Sequence, residues 1–301
     1  MSTTIIASIK MLQSIQKDRI RCGNIIIAQF KKKKGIPQDV PIRSDVDAFD
    51  LLEQLRFEYN RLTDGVVDAF KGTVVDSDLI THISELALIN SYETQLKLEK
   101  IHFRAIKNEL KSIPLWVEFL ADIKGCGPLL AGSILAEIDI HKCNTPSSLW
   151  AYCGLDTVVV TDAKTGVEKR EGRGRKRTHL VPRTYVNFDG EITDTVGLSY
   201  NPTIKSRLLG VLGPSFLKTK SPYADIYYEY KNRLQNSPAH SKKSKLHIHN
   251  MAIRYMVKEF LVDLWLKWRE LEKLPTRSRY SEEKLGLHHS KAPRVSVCPG
   301  A

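Results

Sequence analysis

The stretch Asp122–Ile138, DIKGCGPLLAGSILAEI, sets two glycines and a proline between two apolar runs of helical spacing. Upstream, LWVEFLADI puts Leu115, Trp116, Phe119, Leu120 and Ile123 on one helical face. Downstream, Pro128 occupies the favoured first position of a helix carrying Leu129, Leu130, Ile134, Leu135 and Ile138. The stretch reads as helix, hairpin, helix. A phosphate-cradling P-loop would need Lys and then Ser or Thr after its last glycine, but Gly132 is followed by Ser133 and Ile134. A dinucleotide-binding turn would need a preceding strand and the G-x-G-x-x-G spacing, and both are missing. Two readings remain. In a helix-hairpin-helix element, Gly125 and Gly127 let the backbone come close to a nucleic-acid phosphate, the N–H groups opening the second helix face that phosphate, and Lys124 adds charge. In an αα-corner the same glycines only let the chain turn.

Composition favours a polyanionic partner. The 301 residues carry 46 Lys and Arg against 34 Asp and Glu, a net charge of +12, which suits nucleic acid better than an acidic metabolite. The five cysteines are odd in number and form no C-x-x-C pair, so neither a disulfide framework nor a zinc ribbon is implied. No metal and no cofactor are expected. The opening MSTTIIASIKMLQ lacks the cleavage pattern of a signal peptide, and IIIA at Ile25–Ala28 is far too short to span a bilayer. The expected setting is cytoplasmic, without membrane contact.

Outward from the glycine turn, residues 1–43 read as a basic N-terminal arm around FKKKKGIPQDVP, and residues 44–113 as a helical, coiled-coil-like region. Within that region SDVDAFDLLEQLRFEYNRL repeats Val46, Phe49, Leu52, Leu55, Phe57, Tyr59 and Leu62 after a Ser44 cap, and a second helix is expected over about 78–110. Residues 114–274 form the domain that contains the glycine turn. There SSLWAYCG continues as a short helix, TVVVTDAKTGVEKREG as a β-hairpin, and TYVNFDGEITDT as a second hairpin turning at Asp189-Gly190. Helices then run over about 203–217 and 222–234 and through LHIHNMAIRYMVKEFLVDLWLKWRELEKL, before a flexible tail at 275–301. The fold class is mostly α with a small β-hairpin insertion: a helix-hairpin-helix element, a basic hairpin and a long C-terminal helix.

The basic hairpin is the second candidate interface. From Lys164 to Arg183 eight basic residues stand against Glu168 and Glu171, and that excess is half of the chain's net charge. Lys169, Arg170, Arg173, Arg175, Lys176 and Arg177, with Gly172 and Gly174 interleaved, suit a flexible arm following a nucleic-acid backbone, or else a solvated loop. His247 and His249 on the last helix point to different sides and read as ordinary helix histidines. Tyr255, Met256, Phe260, Leu264 and Trp268 read as core, with Trp265 and Lys258 near its edge.

The order of these elements over 114–274, anchored by IKGCGPLLAGSILAEI and WAYCGLD, resembles the C-terminal half of insertion-sequence transposases of the one-ten, one-sixteen and nine-oh-two type. The resemblance implies a DNA recombinase whose nucleophilic Ser precedes a Gly soon after the Gly-Leu motif, working with a guide RNA and an N-terminal carboxylate-bearing domain. It leaves room for a homo-oligomer. Thr165 precedes Gly166 where that Ser belongs, no Ser lies between Leu155 and Arg177, and the first 113 residues read as helical without the early acidic strand. Thr165 is therefore the candidate nucleophile by position alone. Three hypotheses stand: a DNA-binding transposase of a mobile element, a non-catalytic DNA- or RNA-binding accessory protein derived from one, and a helical scaffold whose charge serves solubility.

Overall fold

The computed structural model describes residues 3–35, 46–63, 77–161 and 166–277. The chain divides into two compact units, Met1–Asn108 and Glu109–Ala301. The two hairpins and the long last helix that the sequence predicts are present: the protein is mostly α with two small antiparallel strand pairs.

The first unit is built on three helices, α1 (Thr3–Lys33), α2 (Val46–Thr63) and α3 (Ile83–Leu110). The sequence reading of 1–43 as a basic arm is corrected by α1, which continues for 31 residues. The four-lysine run drew attention away from Ile5, Ile9, Leu12, Ile26 and Phe30, which recur at helical spacing and are buried. On α2 the buried apolar residues are Ala48, Leu51, Leu55 and Tyr59, while Phe49 and Phe57 face outward, so the expected stripe is rotated. Ile26 and Phe30 pack with Leu51, Leu55 and Tyr59 and with Ile80, Leu86, Ile89 and Tyr92 in one core. Ion pairs Arg19–Glu99 at 2.6 Å and Lys33–Glu85 at 2.8 Å, together with Arg56–Glu93, tie the helices at the rim. Expectations for Ser44 and the 36–43 loop lie outside the described residues.

In the second unit proline sets the helix starts. Pro114, Pro128, Pro146, Pro202 and Pro222 open α4 (Pro114–Glu118), α5 (Pro128–Glu137), α6 (Pro146–Tyr152), α7 (Pro202–Arg207) and α9 (Pro222–Gln235), where the missing N–H costs no helical bond. Side-chain caps reinforce three starts. Thr145 and Ser148 form a reciprocal capping box on α6, Asn201 accepts from the N–H groups of Thr203 and Ile204, and Ser244 accepts from His247 N–H at the start of α10 (Lys245–Leu271).

A π-helical turn, Leu208–Leu212, joins α7 to α8 (Gly213–Lys218). β1 (Thr157–Thr161) pairs with β2 (Glu168–Gly172), and β3 (Leu180–Val186) with β4 (Ile192–Leu198), both antiparallel. The second hairpin turns where Asp189-Gly190 predicts, with Gly190 at φ +85°.

Helix α10 is the axis of this unit. Phe260 meets Phe216 at 5.4 Å and Tyr223 at 5.5 Å edge-on, with Phe119 stacked at 6.4 Å. Trp265, read from sequence as edge, is fully buried and donates its indole N–H to the Cys143 carbonyl at 2.7 Å. The buried Arg269 donates to the Ile140 and Cys143 carbonyls, fastening the chain after α5 onto α10. The expected continuous helix over 115–123 is broken: Phe119 takes φ −145°, ψ −63°, and residues Leu120–Asp122 form a 3-10 turn. Turning Phe119 into the aromatic core is the gain that offsets the lost helical bond.

Candidate nucleic-acid interface

At the glycine turn the two glycines do different jobs. Gly125 has φ +93°, a region that resists side chains, and a Cβ there would come 2.8 Å from Thr219 Oγ1 and 3.1 Å from the Ser215 carbonyl. Ser215 Oγ donates to the Gly125 carbonyl at 2.9 Å, closing the turn onto the end of α8. Packing alone therefore demands Gly125. Gly127 has ordinary backbone angles, φ −71° and ψ 171°, and a Cβ there would meet nothing within 4 Å. Its bareness has no packing cause.

Gly127 is the N-cap of the 10-residue α5, and its carbonyl accepts from Leu130 and Ala131 N–H at 3.0 Å each. No side chain caps this end, so the positive pole of the helix lies beside an open surface. Lys124 is exposed next to it. The contact between Gly125 and Thr219 also brings the exposed Lys218 and Lys220 to the same turn, two cations that local sequence spacing does not reveal. Cys126, between the glycines, is buried, and burial pushes its thiol up to about 12, which removes it as a nucleophile.

Among the described residues the basic hairpin is tied down by side-chain bonds. Arg173 forms a fork on Asp156, with Nε at 2.8 and 2.9 Å from the two carboxylate oxygens and Nη2 at 2.7 Å, while Nη1 donates to Ser199 Oγ. Side-chain exposure is only 18% for Arg173 and 21% for Asp156, so this cation faces inward. Gly174 N–H donates to Nδ1 of the buried His179 at 2.9 Å, which leaves the imidazole proton on Nε2, 3.7 Å from the Glu171 carboxylate. Lys176 pairs with Glu171 as well. The pair lowers the Glu171 carboxyl pKa, chiefly through the Lys176 hydrogen bond.

Lys169 and Arg170 are neighbours on β2, opposite Val160 and Val159, and neighbouring strand residues point to opposite faces of the ribbon. Arg170, Lys169, Arg175 and Arg177 are exposed. The structure thus gathers Arg175, Lys176 and Arg177 on one outward loop, turns Arg173 inward, and splits Lys169 from Arg170. Thr165 and Lys164 lie outside the described residues. His249 Nδ1 lies 2.6 Å from the Tyr227 hydroxyl, and among the described residues no group of three or more His, Cys, Asp or Glu side chains is placed to hold a metal.

Residues 117–183 match the family model of the Transposase IS116/IS110/IS902 family, the family that the motifs resemble. The matched segment runs from α4 through the glycine turn, α5, α6 and the first hairpin into β3. No curated protein and no solved structure matches the chain. Among the described residues no helix is long and apolar enough to cross a membrane.

Proposed function

We propose that this transposase-like protein binds the DNA backbone through the open N-terminus of α5, with Lys124 and Gly127, and through the loop bearing Arg175, Lys176 and Arg177. The observation that carries this reading is the bare, uncapped, outward-facing Gly127 inside the segment that matches a transposase family. A helix-hairpin-helix element works in this way, with main-chain N–H groups and the helix dipole on a phosphate. Such contacts position a protein on DNA without reading bases, so binding should be indifferent to sequence. The test is fluorescence anisotropy of the full chain on two unrelated duplexes over a range of salt. Binding whose logarithm falls linearly with log salt, alike on both, is expected; affinity that ignores salt would refute the reading.

A second reading is a binding module without chemistry. It is favoured by the missing Ser between Leu155 and Arg177 and by the buried, inert thiols of Cys126 and Cys143, the latter raised to about 11 by burial. Thr165 is the candidate nucleophile of the catalytic reading, and a guide RNA and a homo-oligomer belong to that reading. Denaturing electrophoresis of wild type and Thr165→Ala with labelled DNA, with and without co-purified RNA, separates the two. Covalent adducts in wild type that vanish in the variant support recombinase chemistry, and adducts in neither support the binding module.

A further inference from the structure

Near the first hairpin lie three further cations, with Arg254 close enough to repel both Lys205 and Lys258. Lys205 on α7 donates from Nζ to the Arg173 carbonyl and lies with Nζ 4.4 Å from the centre of the Tyr200 ring. Arg254 on α10 donates to the Gly154 carbonyl at 3.3 Å, and its guanidinium fills the space beside Gly172, 3.3 Å from where a Cβ would stand. Lys258, one turn along α10, holds Nζ 4.3 Å from the centre of the Trp150 ring. Glycines make the room: a Cβ on Gly154 would come 3.1 Å from Lys205 Cδ and 2.6 Å from Tyr200.

The carboxylate common to this group is Asp156, and its two oxygens are already taken by the Arg173 fork. Among the described residues Lys205, Arg254 and Lys258 make no salt bridge, and Glu259 attracts Lys258 from the next position on α10. All three are half-buried, so water reaches them but solvates them poorly. Burial, then repulsion from Arg254, Arg173 and Arg175, brings Lys205 down to about 8 against the attraction of Asp156. Burial likewise lowers Arg254 and Lys258. A fold that holds poorly solvated like charges together, with Asp156 already bonded to Arg173, bears a free-energy cost that a bound anion would lower. Aromatic faces at Tyr200 and Trp150 flank the charges with flat apolar surface.

We propose that Lys205, Arg254 and Lys258 form a seat for one phosphate group of a nucleic-acid backbone, distinct from the α5 turn and resting on the DNA-binding function proposed above. Arg254 supplies a planar fork for two phosphate oxygens, and the two lysines add point charges. Asp156 keeps Arg173 turned inward, so that its carbonyl can hold Lys205 in place.

The test uses the full chain with two probes, inorganic phosphate and duplex DNA, for wild type, Lys205→Met and Arg254→Gln. In wild type, inorganic phosphate at constant ionic strength should raise Tm where chloride does not. Each variant should lose that rise and flatten the log–log salt slope on DNA by about 0.9, which weakens binding about fourfold at 0.2 M salt relative to 1 M. Without phosphate each variant should melt at or above wild type, because a repelled charge is gone. Variants that keep both the phosphate shift and the slope overturn the seat, while DNA binding itself stands. Variants that melt lower without phosphate and keep the wild-type slope also overturn it, since the cations would then serve the fold. A wild type stabilised by phosphate yet unable to bind DNA at low salt overturns the nucleic-acid assignment and leaves a free phosphate compound as the occupant.

Discussion

The two glycines of the turn should separate under substitution. Gly125→Ala forces a side chain into φ +93° and against the Ser215 carbonyl. Positive φ costs about 1–2 kcal/mol for a residue with a Cβ, and loss of the Ser215 hydrogen bond adds about 1 kcal/mol. The expected destabilisation is about 2–3 kcal/mol, a drop of roughly 4–12 °C in Tm for a unit of this size. Gly127→Ala places its methyl in empty space at ordinary angles. Its cost should stay under about 1 kcal/mol, because the N-cap advantage of Gly over Ala is of that size and Ala offsets part of it by stiffening the unfolded chain. Gly127→Val should likewise fold, yet weaken DNA binding by crowding the approach to α5. Circular dichroism melts give the stabilities, and anisotropy at a temperature where every variant is folded gives the affinities. Equal melting for Gly125→Ala and wild type would refute the packing argument. A folded Gly127→Val with wild-type affinity would refute the phosphate approach at α5.

The cations of the hairpin should divide in the same manner. Arg175→Ala, Lys176→Ala and Arg177→Ala together are expected to flatten the salt slope by up to about 2.7 with little change in Tm, whereas Arg173→Ala strands Asp156 and should lower stability by about 1–3 kcal/mol; a steeper loss of slope from Arg173→Ala than from the triple variant would contradict the inward assignment. In the first unit, burial works to raise the Glu85 carboxyl, but its bonds from Lys33 and from the Thr81 and His82 N–H groups outweigh it and leave the pKa lowered. A lowered carboxyl stabilises the fold above its unfolded pKa and loses that contribution as pH falls through the folded value, so wild type should lose more stability than Glu85→Gln below about pH 4.5 in urea titrations. Equal losses would remove Glu85 from the account.

Lys205 carries the opposite sign. With its pKa lowered to about 8, the folded protein binds fewer protons than the unfolded chain between there and 10.5. Wild type should therefore gain stability relative to Lys205→Met as pH rises through that window, while its phosphate-induced rise in Tm fades. A parallel course for the two proteins would show that Lys205 is not held against its charge.

What sequence alone determined is local. Pro128 and Pro222 locate helix starts because proline's fixed φ and missing N–H suit that one position, and Asp189-Gly190 locates a hairpin because its backbone angles require it. The apolar spacing of the last helix identified Met256, Phe260, Leu264 and Trp268 as core, and the motifs around the glycine turn carried the family resemblance. Spacing misjudged α1 and the outer face of α2, since a lysine run or a phenylalanine says nothing by itself about which side of a helix finds a partner. Only the tertiary structure decided that Gly125 is bound by packing and Gly127 is free, and that Arg173 turns inward while Arg175 turns out. It alone brings Lys205 and Arg254 to Gly154 from two helices far apart in sequence. The reason is physical: a backbone preference is set by a residue and its neighbours, whereas the partner of a charge is set by whatever the fold carries to within a few ångströms of it.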